Sequence, residues 1–130
     1  MSRDPLVLAF ESASLAASEF HHRQHLYVAW CYLGEMSAED ALARYVGGLK
    51  LLTQKLGVPE KFHATITWAY VALLDDAMQR SPGVSFDELL ERNPGLLDHK
   101  SGDLRRYYSQ AELDAPEARL RFVLPRPRIG

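Results

Sequence analysis

Ser37–Gly57 reads SAEDALARYVGGLKLLTQKLG, a segment that carries both ends and one whole face of a helix. Ser37 can accept a hydrogen bond from the backbone N–H groups that open a helix. Glu39 and Asp40 add negative charge where the helix dipole is positive. Leu42, Tyr45, Val46, Leu49, Leu52 and Leu56 then recur at three- and four-residue intervals, the period of a half-buried helix. Gly57 supplies the stop. Gly47 and Gly48 sit inside this pattern, where each glycine costs about 1 kcal/mol relative to alanine. Such a pair implies a bend, a close ligand or backbone, or tight helix packing, and tight packing is the plainest of these.

The same punctuation recurs on both sides. Asp4–Pro5 pairs a cap with a proline suited to the first helical position, so a short helix through Phe10 or Glu11 is expected. Ser12, Ser14 and Ser18 offer rival caps and predict a turn. The next helix is expected from about Ser18 to Leu33, stopping at Gly34. Val58–Pro59–Glu60 starts a third long helix to Arg80, broken by Ser81–Pro82–Gly83. Ser85 to Glu88 reads as a capping box for a short helix through Glu91, closed by Asn93–Pro94–Gly95. Asp103–Ser109 suggests a helical turn, and Asp114–Ala115–Pro116 a cap for a further one through Arg119. Leu120–Leu124 looks extended, but a lone segment forms no sheet. The fold class is therefore all-α: a single bundle of about four or five helices with an irregular C-terminal segment. Residues 1–124 form one helical domain and residues 125–130 a Pro/Arg tail in this reading.

Composition narrows the function classes. A chain of 130 residues with 47% hydrophobic and 25% charged residues can bury a core. Its formal charge of −2 gives no global basic field, so neither nucleic acid nor an anionic membrane is the expected partner. The charge is uneven: residues 1–99 hold 8 Lys/Arg against 13 Asp/Glu, and residues 100–130 hold 7 against 4. That pattern reads first as an acidic body with a solvated basic tail. Cys31 is the single cysteine, which excludes an internal disulfide and a cysteine-based zinc site. Beside Trp30, Tyr32 and Leu33 it reads as an inert thiol. Leu6–Phe10 is too short for a signal-peptide core, and no apolar run is long enough for a bilayer, so a cytoplasmic location is expected.

Histidine is the residue type that points beyond packing. His22 and His25 are three residues apart, and extending the stripe of Leu26, Ala29 and Leu33 backward places both on the inward face. His21 falls on the flank and His99 in a loop. On the third long helix His63 shares a face with Ile66, Thr67, Tyr70, Leu73 and Leu74. A buried imidazole must be neutral and hydrogen-bonded, paired with a carboxylate, or metal-bound. Three neutral imidazoles suit one divalent transition metal: zinc, copper, nickel or iron. Glu11 and Glu19 are the carboxylates placed to act as ligand or base. Thr67 and Tyr70 line the same face, and Arg119 could hold an anionic group, although a lone arginine more often packs or pairs. No His-Glu-x-x-His helix is present.

Phe20-x-His22-x-x-His25-Leu26, Lys61-Phe-His63-x-Thr-x-Thr67, Tyr108–Ser109 and Ala118–Arg119 together resemble a family of small uncharacterised bacterial helical proteins. These share F-x-H-x-x-H-L, Y-H-x-T-x-T and Y-S…A-R segments. The resemblance covers most of the chain and implies that the three histidines belong together. It supplies no substrate. The family pattern has an acidic residue after the third histidine, where this chain has Ala64, and another near the end, where it has Arg126. A ferritin-like di-iron site would need Glu-x-x-His on two helices, and Glu19-Phe-His-His22 supplies it once.

These residues lead to a small-molecule enzyme with His22, His25 and His63 around a metal, carrying out hydrolysis, hydration or isomerisation. Two other readings stay open. One is a metal-free module in which the histidines and Arg119 hold a small anionic ligand. The other is a structural or homodimerising protein with core histidines.

Overall fold

The structure is a computed structural model that describes residues 4–98 and 102–126. Among the described residues the chain forms seven α-helices, four 3-10 turns and no strand, the all-α class read from the sequence. The helices are α1 (Pro5–Glu11), α2 (His22–Glu35), α3 (Ala38–Lys55), α4 (Ala64–Arg80), α5 (Phe86–Arg92), α6 (Gln110–Asp114) and α7 (Pro116–Leu120). α2, α3 and α4 pack against one another; α1 lies across α2 and α3, while α7 rests on α4 with α6 beside it. Val28, Ala29 and Tyr32 from α2, Tyr45, Leu49 and Leu52 from α3, and Val71 and Leu74 from α4 fill the interior. No helix among the described residues is long and apolar enough to cross a membrane.

Local chemistry accounts for most of the boundaries. Asp4 Oδ1 accepts from the Leu6 N–H at 2.8 Å, with Pro5 at the first helical position. Ser37 and Ser85 accept from the N–H groups of Asp40 and Glu88 at 3.1 and 3.2 Å. Gly57 and Gly83 follow α3 and α4 with φ of +76° and +80°, a backbone region that glycine enters freely. Gly48 is a place where no other residue fits. A Cβ there would lie 2.3 Å from Phe10 Cε2, so α1 seats its aromatic ring directly on the α3 backbone. Gly47 has open space at the same position. The packing reading of the glycine pair therefore applies to Gly48.

Several boundaries differ from the sequence reading. α2 begins at His22 instead of Ser18, because a separate 3-10 turn, Ala17–Glu19, intervenes. Glu19 Oε1 closes that turn by accepting from the Ala16 N–H at 2.8 Å. At its other end α2 runs through Gly34 to Glu35, and the extended backbone of Met36 stops it. The third long helix does not begin at Val58. Pro59–Lys61 forms a 3-10 turn, and α4 starts only after an extended His63 whose ring caps it. In the C-terminal region, Ser109 and Glu112 form a reciprocal capping box, with bonds of 3.1 and 2.8 Å, and open α6 before Asp114 is reached. Leu120 ends α7 instead of starting an extended segment.

The chain from Phe122 to Arg126 is irregular, as expected of the C-terminal segment, and it is clasped to α4. Thr65 Oγ1 donates to the Arg121 carbonyl at 3.0 Å and accepts from the Val123 N–H at 3.1 Å. The Tyr108 hydroxyl donates to the Val123 carbonyl at 2.6 Å, and Phe122 stacks on Trp68 with ring centres 5.1 Å apart. His99 and the tail beyond Arg126 lie outside the described residues.

Candidate functional site

The three histidines singled out in the sequence each meet a different partner. His22 opens α2, and its Nε2–H donates to the Leu96 carbonyl at 2.8 Å while its ring meets Tyr70 edge-on at 4.7 Å. His25, one turn on, stacks on Phe20 at 3.9 Å and places Nδ1 3.2 Å from the Tyr45 hydroxyl. Burial, followed by the neighbouring charge of His22 and then His21, holds its pKa down at about 4, against the opposing pull of the Phe20 backbone.

His63 is 7% exposed, so the inward placement read from the sequence is met, but its role is that of a cap. Its Nδ1 accepts from the Ile66 N–H at 3.1 Å, which leaves the ring proton on Nε2 to donate to the Leu113 carbonyl at 2.7 Å. Both ring nitrogens are then spent on backbone partners, and neither offers a lone pair to a metal. Among the described residues no group of three or more His, Cys, Asp or Glu side chains is placed to hold a metal ion. As arranged, the donor set read from the sequence does not form a metal centre.

The remaining sequence candidates are also dispersed. Glu11 Oε2 accepts from the Tyr32 hydroxyl at 2.8 Å and lies 3.6 Å from Arg44. Glu19 closes its own turn. Thr67 Oγ1 donates back to the His63 carbonyl at 2.7 Å. Arg119 Nη1 donates to the Glu60 carbonyl at 2.9 Å and so docks α7 on the turn before α4. Tyr70 is different. Its hydroxyl is buried without a hydrogen-bond partner.

The histidine pattern also did not indicate a cavity between helix ends and turns. A cavity of about 680 Å³ lies where the ends of α4 and α5 meet the turns Pro94–Leu96 and Asp103–Arg106, and Arg80, Arg92, Arg105, Arg106, Asp98 and Asp103 help to line it. Arg80 and Arg92 are the last residues of their helices, where a cation offsets the negative end of the dipole. Their ion pairs are local: Arg80 with Asp76 at 3.0 Å and Arg92 with Glu88 at 3.5 Å, all exposed side chains. Such pairs contribute about 0–1 kcal/mol and are easily exchanged. Arg105 gives its Nη2 to Gln110.

Two glycines let the cavity wall close on itself. A Cβ on Gly95 would lie 2.2 Å from Asp103 Oδ1, and one on Gly102 would lie 2.2 Å from the Gly95 carbonyl oxygen. The Gly102 N–H also donates to the Asp98 carbonyl at 2.8 Å. His22 braces this wall from behind, through its bond to Leu96 and its contact with Tyr70.

The electrostatics single out one corner. Among the described residues, Arg105 Nε and the Tyr70 hydroxyl are the two buried side-chain polar atoms with no hydrogen-bond partner. Both can donate a proton. Burial first, and then the charges of Asp103 and Asp98, push the Tyr70 hydroxyl up to about 12, while Arg105 opposes them. The hydroxyl therefore keeps its proton at neutral pH and senses the same groups that line the cavity. Arg105, one of the lining residues, thus keeps an unpaired donor among a concentration of guanidinium groups, and an oxyanion supplies several acceptors.

No family model, curated protein or solved structure matches this chain. The roles above rest on its own geometry. Sequence reading passed over the arginines for a physical reason. At a helix end, arginine is the ordinary complement of the dipole, and Arg105–Arg106 reads as part of the solvated basic excess after residue 99. The local signal was Asn93–Pro94–Gly95 and Gly102–Asp103, two glycine turns flanked by arginines.

Proposed function

We propose that this protein is a metal-free module that binds a small ligand through an oxyanion, carboxylate or phosphate. The ligand occupies the arginine-lined cavity. This keeps the anion-binding reading of the sequence but moves the site from the histidines and Arg119 to Arg80, Arg92, Arg105 and Arg106. The observation that carries it is a cavity lined by four arginines, one of which, Arg105, keeps a buried Nε–H without a hydrogen-bond partner. A buried donor left unmade costs about 1–3 kcal/mol, which an incoming acceptor recovers. Guanidinium groups suit the task because their planar array of donors matches carboxylate and phosphate oxygens. The volume lies within the range of about 300–1,000 Å³ usual for small-ligand sites. In this account the histidines frame the site: His22 fixes the Leu96 turn and the face of Tyr70, while His63 anchors α6.

Thermal unfolding of the full chain with phosphate or glutarate, against sodium chloride of equal ionic strength, tests the reading. A ligand at 100 times its dissociation constant stabilises the fold by about 2.7 kcal/mol. At least one of the two anions should raise Tm well beyond the salt control in the wild type and should fail to do so in Arg105→Met. No rise above the salt control, or an equal rise in Arg105→Met, would remove the proposal.

A further inference from the structure

We infer that the ligand of this cavity is amphoteric, carrying a cationic ammonium group as well as its oxyanion, in the manner of an acidic amino acid. The inference rests on the anion-binding reading of the same cavity and concerns the part of the wall that reading leaves unused. A site built only to attract an anion would exclude carboxylates, because each repels the ligand across a short distance. This cavity instead admits Asp103 and Asp98 beside its arginines.

The placement of Asp103 is built into the backbone. Its carboxylate occupies the space that any side chain on Gly95 would take, with Oδ1 2.2 Å from where a Cβ would stand. Gly102, immediately before it, is wedged against the Gly95 and Asp98 carbonyl oxygens, where a Cβ would approach to 2.2 and 2.3 Å. Both glycines are thus required to seat that carboxylate in the wall. Asp103 lines the cavity together with Arg80, Arg92 and Arg105, whose own bonds run to Asp76, Glu88 and Gln110.

Tyr70 lies behind the lining residues and senses the same carboxylates. The Tyr70 hydroxyl is buried at 7% residue exposure, has no hydrogen-bond partner and lies in the field of Asp103, Asp98 and Arg105 together. An α-amino acid with an acidic side chain offers what this arrangement lacks. Its ammonium group donates to Asp103 and its carboxylates accept from the arginines.

The test compares glutamate with glutarate, which differ by the ammonium group alone, using titration calorimetry on the full chain. Wild-type protein should bind glutamate about tenfold more tightly than glutarate, the gain expected from one added charge-assisted hydrogen bond. Asp103→Asn keeps the shape of the side chain and removes its charge. It should erase that preference while leaving glutarate affinity equal or higher. Glutarate binding as tightly as glutamate would overturn the amphoteric ligand and leave the anion site standing. So would phosphate binding with no affinity for either dicarboxylate. Failure of all three to bind would overturn the anion site itself, and the inference with it. A glutamate preference that survives Asp103→Asn would refute the assignment to Asp103.

Discussion

Substituting alanine at Gly47 and Gly48 in turn separates packing from helix propensity within one turn of α3. Both residues lie inside the helix, so each change should gain about 0.5–1 kcal/mol of backbone stability. At Gly47 nothing lies within 4 Å of the new methyl group, and that gain should appear in full. At Gly48 the methyl carbon would sit 2.3 Å from Phe10 Cε2 and 2.5 Å from Cζ, far inside contact distance. The ring cannot swing away: it is fully buried, with Phe20, Tyr45 and Tyr32 rings centred 5.5, 5.7 and 6.3 Å from its own. Overpacking of this kind costs about 1–3 kcal/mol, so Gly48→Ala should be less stable than Gly47→Ala by about that amount. Urea unfolding followed by far-ultraviolet circular dichroism measures the difference, provided the m-values match. Adding Phe10→Leu should recover much of the loss, since the two sites share one contact. Equal stability of the two alanine variants would refute the claim that α1 is docked through a ring on the Gly48 backbone.

Other perturbations follow from the histidines and the C-terminal clasp. His63→Ala removes the cap on Ile66, at about 0.5–2 kcal/mol, and strands the Leu113 carbonyl, at about 1–3 kcal/mol. Chemical unfolding should therefore register a loss of at least about 1.5 kcal/mol, and a change near zero would show that the cap does not hold α4. His25 has its folded pKa depressed to about 4 from 6.5, so its neutral form is favoured by folding. Its contribution is complete above about pH 6.5 and is lost as pH falls toward about 4, up to about 3 kcal/mol in all. His25→Phe should flatten that part of the stability profile measured between pH 7.5 and 4; an unchanged slope would place the titration elsewhere. Thr65→Val should free residues 121–126, seen as faster amide exchange at Val123, for a cost of about 1 kcal/mol. Unaltered exchange there would show that the clasp does not depend on the hydroxyl.

What the sequence made legible was mainly what depends on neighbours along the chain. Asp4–Pro5, Ser37, Ser85 and Gly57 signal helix ends through their own side chains or backbone freedom, and each acts as read. The stripe around Tyr45 and Leu49 identifies the buried face of α3 for the same reason. His63 shows where this logic stops. Its position on an inward stripe is correct, yet an imidazole can serve as well at the cap before a helix as on its face, and periodicity cannot distinguish the two. His22 and His25 lie on one helix as expected, but their ring partners, Leu96 and Tyr45, are far away in sequence. The arginine cavity was the least visible feature. Arg80, Arg92 and Arg105 come from three separate elements, and each has an ordinary local explanation. Gly95 and Gly102 acquire meaning only when Asp103 is seen against one and a carbonyl against the other.

The most direct test of the anion site is the Nε–H resonance of Arg105 in proton–nitrogen spectra of the full chain titrated with phosphate, then with glutamate. The account predicts a distinct Arg105 Nε–H signal that shifts and saturates with one of these ligands, with slower solvent exchange when bound. A titration that moves only the signals of exposed arginines, leaving Arg105 Nε–H unchanged, would contradict it.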